Sequence, residues 1–129
     1  MRIPRDRWLP LKDLRITPEG RWESSVQHGP SSEWFSGHFD EYPLVPGVAL
    51  LALAAETVKR QGREQGRFLE ISGFSGVRFR RLVLPGEELL ISVDGMPPGA
   101  EAKLDFHLTS HGNTVVHGVL KATEELSSG

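Results

Sequence analysis

Residues 34–56 read WFSGHFDEYPLVPGVALLALAAE, and this stretch decides the fold. Pro46-Gly47 opens an apolar run of helical length. Every position from Val48 to Ala55 is apolar, which predicts a helix buried on all sides in its first two turns. Glu56 is the first polar residue, and from there the helix is expected to emerge toward solvent. The helix is predicted to run from Gly47 to Arg60 or Gln61, with Gly62 as its stop and 63–66 as a polar connection. His38 follows Gly37, nine residues before Gly47. That order places an imidazole near the start of a buried helix. Backbone N–H groups there lack partners, and the local field favours negative charge. A base beside an oxyanion site is a workable arrangement for chemistry.

Before this stretch, residues 1–20 are charged and carry three prolines, a lead-in with one short strand around 14–17. Gly20 permits a turn, and residues 21–27 are predicted as the next strand. Gly29-Pro30-Ser31-Ser32 reads as a loop, with Trp34 and Phe35 anchoring the segment after it. Beyond the helix the pattern becomes β. Strands are predicted at 68–74, 77–84 and 89–93, with a turn at Pro85-Gly86 and a loop over 95–100. Residues 103–109 and 114–123 form a hairpin around Gly112, and 124–129 form a frayed tail. One buried helix followed by several antiparallel strands is an α+β layout, with the sheet wrapping the helix. There is no repeat and no sign of a second domain, so residues 1–129 are read as one domain.

The hairpin permits a register argument. Leu104, Phe106 and Leu108 share a face by period two, as do Val116, Gly118 and Leu120. Matching these faces sets Leu108 opposite Val116 and leaves His111-Gly112-Asn113 as a three-residue loop, with its glycine in the left-handed region. His107 then falls opposite His117 on the face away from the helix. That pair reads as part of a polar outer face, or else as a weak metal site or a pH-sensitive contact.

Fifteen Lys and Arg against seventeen Asp and Glu give a formal net charge of −2. This balance argues against nucleic acid. The absence of cysteine excludes disulfides and cysteine-ligated metals, and no metal or cofactor is expected. MRIPRDRWLP lacks the apolar core of a signal peptide. The longest apolar stretch, broken by Pro46 and Gly47, is too short to span a bilayer. A cytoplasmic protein without a membrane partner is the expectation.

GHFDEYPLVPGV (37–48) resembles the GHFP-x-x-P-x-x-PGV stretch of the FabZ-type 3-hydroxyacyl-acyl-carrier-protein dehydratases. ISGFSGVRFRRLVLPGEELLISV (71–93) resembles that family's I-x-x-V-x-F-R-R-P-V-x-PGD-x-L stretch, and GNTVVHGVLKAT (112–123) is similar to its closing strand. The likeness covers residues 33–123 with motif order and spacing kept.

This resemblance implies a hotdog fold, an antiparallel sheet wrapped around one long central helix. It also implies two protomers joined edge to edge, with active sites at their interface. A homodimer or a larger even-numbered homo-oligomer is therefore expected, or a heterodimer with a paralogue. The implied reaction is dehydration of a 3-hydroxyacyl thioester, carried by an acyl carrier protein or coenzyme A, to a trans-2-enoyl thioester. His38 matches the family's histidine, and Gly47 the glycine whose N–H binds the thioester carbonyl. Phe39, Pro46 and Val48 flank these two and are expected to bind substrate. Arg78, Arg80 and Arg81 form a basic cluster suited to the acidic surface and phosphate of a carrier protein, or to aggregation control at a strand edge.

Four positions depart from the family pattern. The proline after GHF is Asp40, and RDRWLPLKDL has no counterpart to an N-terminal H-R-Y-P-F stretch. The family's glutamine near the end of the first helical stretch is Glu56. Its acidic residue, fourteen positions after the histidine, is Ala52, which cannot donate a proton. Loss of a positioned acid costs about 10²–10⁴ in rate. Glu56, one turn further along the helix, is the candidate substitute. The alternatives to a dehydratase are an acyl-thioesterase on the same scaffold, or a catalytically silent protein that binds acyl chains or pairs with an active paralogue.

Overall fold

The computed structural model describes residues 11–26, 47–84 and 87–125. The expectations for the lead-in over 1–10, for Trp34 and Phe35, for the Pro85-Gly86 turn and for the end of the tail lie outside these residues. In chain order the elements are β1 (Lys12–Ile16), β2 (Arg21–Val26), α1 (Gly47–Glu64), β3 (Leu69–Phe79), β4 (Leu89–Asp94), β5 (Glu101–Ser110) and β6 (Asn113–Glu124). The strands make one sheet of order β1-β2-β4-β5-β6-β3, antiparallel throughout. Its inner face packs on α1, the arrangement the sequence implied.

The period-two positions of the strands supply the core. Trp22, Val26, Leu89, Ile91, Val93, Leu104, Phe106, Leu108, Val116 and Leu120 are all buried, together with Leu50, Leu53 and Val58 of α1. Each large apolar side chain buried this way contributes roughly 1.5–3 kcal/mol. Phe74 meets Phe106 edge-on at 5.7 Å between ring centres. Two of the core's polar groups pair with each other: the Ser24 and Thr57 hydroxyls share a 2.6 Å hydrogen bond, and Thr57 Oγ1 donates to the Leu53 carbonyl at 2.8 Å.

Several sequence expectations are corrected. The helix does not stop at Gly62. A side chain there would come within 2.7 Å of Leu69 Cδ1, so this glycine serves the close approach of helix and strand. The stop is Gly66, at φ 73°. There the Gly66 N–H donates to the Arg63 carbonyl at 2.9 Å and the Arg67 N–H to the Gly62 carbonyl at 2.8 Å, a Schellman ending.

Nor is the first half of α1 buried all round. Ala49, Leu50, Leu53 and Ala54 face the core, but Val48 is 74% exposed and Leu51, Ala52 and Ala55 are only partly covered. A sheet covers one side of a helix, and the opposite apolar side of α1 is left open. Glu56, expected to mark the emergence into solvent, is buried, as are Thr57 and Gln61.

The segments read as strands 68–74 and 77–84 are one strand, β3, which ends at Phe79. Its glycines mark bulges rather than a break, with register shifts between Ile71 and Gly73 and between Ser75 and Arg78, and with Gly76 at φ 59°. In the β5–β6 hairpin Leu108 pairs with Val116 and His107 with His117, as the register argument gives. The loop, however, is two residues, His111-Gly112, both at positive φ. The residue saved appears as a bulge, because Leu108 pairs with Val116 and Thr109 with Thr114, which leaves Val115 as the extra residue on β6. The bulge lets Val115 and Val116 both be buried. Glu124 is not frayed: it ends β6, and its carboxylate accepts from Arg67 Nη2 at 2.9 Å.

Candidate functional site

Helix α1 runs antiparallel along β3. Gly62 meets Leu69, Lys59 Nζ stands 4.0 Å from Glu70 Oε2, and Gly47 meets Phe79. The N-terminal end of the helix therefore lies where β3 ends and the chain turns away. There a cleft of about 280 Å³ is lined by Gly47, Leu50, Phe79, Arg80, Arg81, Leu82 and Val83. The lack of a side chain at Gly47 shapes it, since a Cβ would stand 3.0 Å from Phe79 Cζ. The first-turn N–H groups of α1 have no carbonyl partners within the helix and carry its positive field. Large apolar side chains stay open to solvent here, with Phe79 52% and Leu82 68% exposed.

One wall of the cleft is held by an electrostatic knot. Arg81 Nη2 donates to Glu87 Oε1 at 2.6 Å and Arg81 Nη1 to Glu87 Oε2 at 3.3 Å. The Leu84 N–H donates to Glu87 Oε2 at 2.6 Å, and Ser110 Oγ to Oε1 at 3.2 Å. These donors, the Arg81 guanidinium first, hold the Glu87 carboxyl down to about 2. The knot fixes residues 81–84 against the start of the β5–β6 turn. Sequence reading missed Glu87, although its place in PGEEL, where the resembling family has an acid, was a usable signal.

Of the candidate site residues, the structure brings Gly47, Arg80 and Arg81 to this one cleft. Arg78 is exposed beside it, in register with His117 rather than on the cleft wall. Val48, in the first turn of α1, is exposed and is not among the residues that line this cleft. His38, Phe39, Pro46 and Asp40 lie outside the described residues. Ala52 sits on the partly open side of α1.

Glu56 is 3% exposed, and its Oε1 accepts from Arg60 Nε at 3.2 Å and Arg63 Nη2 at 3.3 Å. Nine residues separate it from Gly47, about 14 Å along the helix axis. Its carboxylate is thus engaged by two guanidiniums of its own helix.

The outer face of the sheet carries a polar row. Arg21 Nε donates to Ser92 Oγ at 2.6 Å and Nη1 to Asp94 Oδ1 at 2.6 Å. Ser92 pairs with His107, and His107 with His117. Burial, with the nearby Arg21 charge second, pushes the His107 imidazole below its usual value. Arg80 Nε donates to His117 Nε2 at 3.1 Å. Among the described residues no cluster of three His, Cys, Asp or Glu is placed to hold a metal ion. No helix among them is long and apolar enough to cross a membrane.

Comparison with known proteins fits this architecture. The family model of the ApeI-like group, described as ApeI dehydratase, matches residues 15–119. The 3-hydroxyacyl-[acyl-carrier-protein] dehydratase FabZ of Listeria welshimeri is 32% identical over 103 residues, 75% of this chain and 72% of that one. Among solved structures, the dehydratase heterocomplex ApeI:P from Xenorhabdus doucetiae superposes with a TM-score of 0.69 at 15% identity, covering 99% of this chain and 95% of that one. A hypothetical thioesterase from Streptococcus pneumoniae, solved with coenzyme A, gives 0.66 at 14% identity, covering 88% and 86%. The two structures speak for the fold, and the family model and the sequence relative for the group. The chain belongs to the FabZ-like, ApeI-like dehydratase family and has its hotdog fold.

Proposed function

We propose that this protein dehydrates a 3-hydroxyacyl thioester to a trans-2-enoyl thioester at the N-terminal end of α1. The observation that carries the reading is the apolar cleft at Gly47, at the N-terminal end of α1, with Arg80 and Arg81 among its lining residues. In this mechanism His38 takes the C2 proton. The Gly47 N–H stabilises the charge that develops on the thioester oxygen. The C3 hydroxyl then leaves as water once an acid protonates it. Phe39, Pro46 and Val48 would line the acyl path. The thioester is carried by an acyl carrier protein or coenzyme A, and the working compartment is the cytoplasm.

The active unit in this reading is a dimer, with residues 1–129 as one domain in each protomer. The two sheet edges favour pairing through β3. β1 is five residues, mostly charged and bulged, a blunted edge. β3 is eleven residues long and, among the described residues, has a neighbour on β6's side only. The open side of α1 runs along it, so one partner would cover both. Ala52 lies on that open side.

A second reading follows from Ala52 and Glu56. With no acid at position 52, and with Glu56 held by Arg60 and Arg63, the proton must come from elsewhere. A paralogous partner contributing a carboxyl across the interface supplies it. The ApeI:P relative in fold is itself described as a heterocomplex.

The test is spectroscopic. With crotonyl-coenzyme A, loss of enoyl absorbance through hydration supports the dehydratase, whereas release of free thiol supports a thioesterase on the same scaffold. His38→Ala is expected to abolish the signal while leaving the fold intact. Unchanged turnover in that variant removes His38 from the mechanism. Binding without either signal leaves an acyl-binding partner protein as the function.

A further inference from the structure

β3 ends at Phe79, and the residues after it, Arg80 to Val83, are among those that line the cleft. Among the described residues this wall is held in three places. Val83 is buried in the core. Glu87 accepts from Arg81 Nη2 and from the Leu84 N–H, each at 2.6 Å. Arg80 is fastened to β6 twice. Its backbone N–H donates to the Val115 carbonyl at 2.7 Å. Its side chain reaches the outer face of the sheet, where Nε–H donates to His117 Nε2 at 3.1 Å.

A proton acts on this last contact and not on the others. An imidazole nitrogen that accepts a hydrogen bond carries no proton, so neutral His117 has its proton on Nδ1. A second proton can go only to Nε2, the atom that Arg80 uses. Protonation and the Arg80 bond therefore exclude each other, and an imidazolium is left beside a guanidinium. No acid stands directly opposite to offset it, since the residues in register with His117 are His107 on β5 and Arg78 on β3. Beyond His107 the row continues through Ser92 on β4 to Glu23 on β2. Glu23 is paired with Arg15, and Asp94 with Arg21. Asp105 shares the face from two residues before His107, with the Lys103–Lys121 pair beyond it. Burial first, and the Arg21 charge second, push His107 below its usual value. Histidine is the side chain whose charge ordinarily changes between about pH 5 and 8. The Glu87 tie outlasts that range, because its carboxyl is held down to about 2, by Arg81 above all.

We propose that His117 is a proton-sensitive positioning residue for the cleft: neutral, it fastens Arg80 and the wall that begins there, and protonated, it releases Arg80, so that the wall loosens and the cleft binds less well in mild acid. The effect on binding rests on the reading of this cleft as the thioester site. The loosening of the wall does not.

The test follows two readouts on the full chain at about pH 8 and about pH 5. The first is amide exchange, corrected for its intrinsic pH dependence, at the Arg80 N–H and, as a reference, at the Arg67 N–H, which donates to the Gly62 carbonyl at the other end of α1. Protection at Arg80 should fall by about 5- to 10-fold in acid, the worth of one hydrogen bond, and protection at Arg67 should not. His117→Gln, which keeps an acceptor and does not titrate, should hold Arg80 protected at both pH values. His117→Phe should leave it poorly protected at both. The second readout is calorimetric binding of octanoyl-N-acetylcysteamine, an uncharged thioester. Its affinity should drop by about 5-fold in acid for the wild type and stay level for His117→Gln.

Arg80 protection that ignores pH in the wild type, or that falls just as far in His117→Gln, overturns the proposal. A loss shared equally by Arg67 assigns the effect to the whole fold and overturns it as well. If Arg80 loosens while the thioester binds equally at both pH values, the wall does not govern the cleft, again against the proposal. A wild type that binds no thioester at either pH, yet loosens at Arg80 as expected, defeats the thioester reading and leaves His117 as the residue that holds the wall.

Discussion

Among the described residues, the C-terminal end of α1 and the turn after it are tied to several other elements, whereas the N-terminal end meets the Phe79 ring and a cleft. Gly62 sits against Leu69, Gly66 closes the last turn, and Glu56 gathers Arg60 and Arg63. Arg67 then crosses the ring of Trp22 at 5.9 Å, donates to the Met96 carbonyl at 2.9 Å and the Pro97 carbonyl at 3.0 Å, and pairs with Glu124. At the other end Gly47 faces Phe79, and Val48, Phe79, Leu82 and Leu84 are exposed. Among the described residues, one end supplies rigidity and the other leaves apolar surface exposed. A scaffold that positions chemistry needs both, and here they lie at opposite ends of one helix.

The largest effect that bears on this contrast is expected from Ala52→Glu, on the open side of α1. If the open end is an active site lacking its acid, the new carboxyl should raise hydration of an enoyl thioester by about 10²-fold or more. Apolar surroundings raise a carboxyl's pKa and keep it protonated, as the acid step requires. The like-charged Glu56 one turn on acts in the same direction. A variant that folds, dimerises and binds acyl thioester with no gain in rate breaks the comparison, because the open end would then be a binding surface only.

The same substitution at two glycines separates the ends next. Gly95→Ala places a Cβ 2.6 Å from the Gly20 carbonyl oxygen and 3.0 Å from Trp22 Nε1, on the closed side. Backbone cannot move aside as a side-chain tip can, so a loss of about 2 kcal/mol in denaturant unfolding is expected, with turnover per folded molecule unchanged. Gly47→Ala meets the half-open ring of Phe79 at 3.0 Å, which can swing away. Its stability should change by less than about 1 kcal/mol, while turnover falls because the backbone is no longer approachable. The reverse pattern would mean that the two ends have been misassigned.

The sequence shows the contrast only in part, for a physical reason. The hairpin register was legible because Leu104, Phe106 and Leu108 repeat with period two, and the helix because its apolar run is too dense for a half-buried strand. What could not be read depends on contacts that the pattern of residue types does not specify. Gly62 reads as a helix stop until Leu69 is seen against it. Ser75-Gly76 reads as a break between two strands until β6 is seen to pair through the bulges. Glu56 reads as the solvent boundary until Arg60 and Arg63 are seen over it. Gly47, Arg80 and Arg81 were picked out by resemblance, and the cleft they share comes from the ending of β3 at Phe79. Glu87 was passed over: its place after Pro-Gly marks it as an acid of the family pattern, but does not name its four donors.

The smallest effect concerns Glu87, which makes a strong tie at the open end. Its carboxyl is held down to about 2 from an ordinary 4.5 by Arg81 and by the Leu84 and Ser110 donors. A depressed carboxyl stabilises the fold above its unfolded value, and that contribution disappears as pH falls through the folded one. Glu87→Gln should therefore cost stability at pH 7, with the gap from wild type closing between about pH 4.5 and pH 2. The group is still partly open to solvent, so the expected cost is only about 1 kcal/mol, read as a shift in urea midpoint at constant slope. Amide exchange at Leu84 should speed up more than exchange at Arg67, because the tie is local to the cleft wall. A gap that stays constant down to pH 2 would place the stabilising contact in shape rather than charge. Equal acceleration at both amides would mean that the two ends of the helix open together, and the contrast between them would then be one of surface, not of stability.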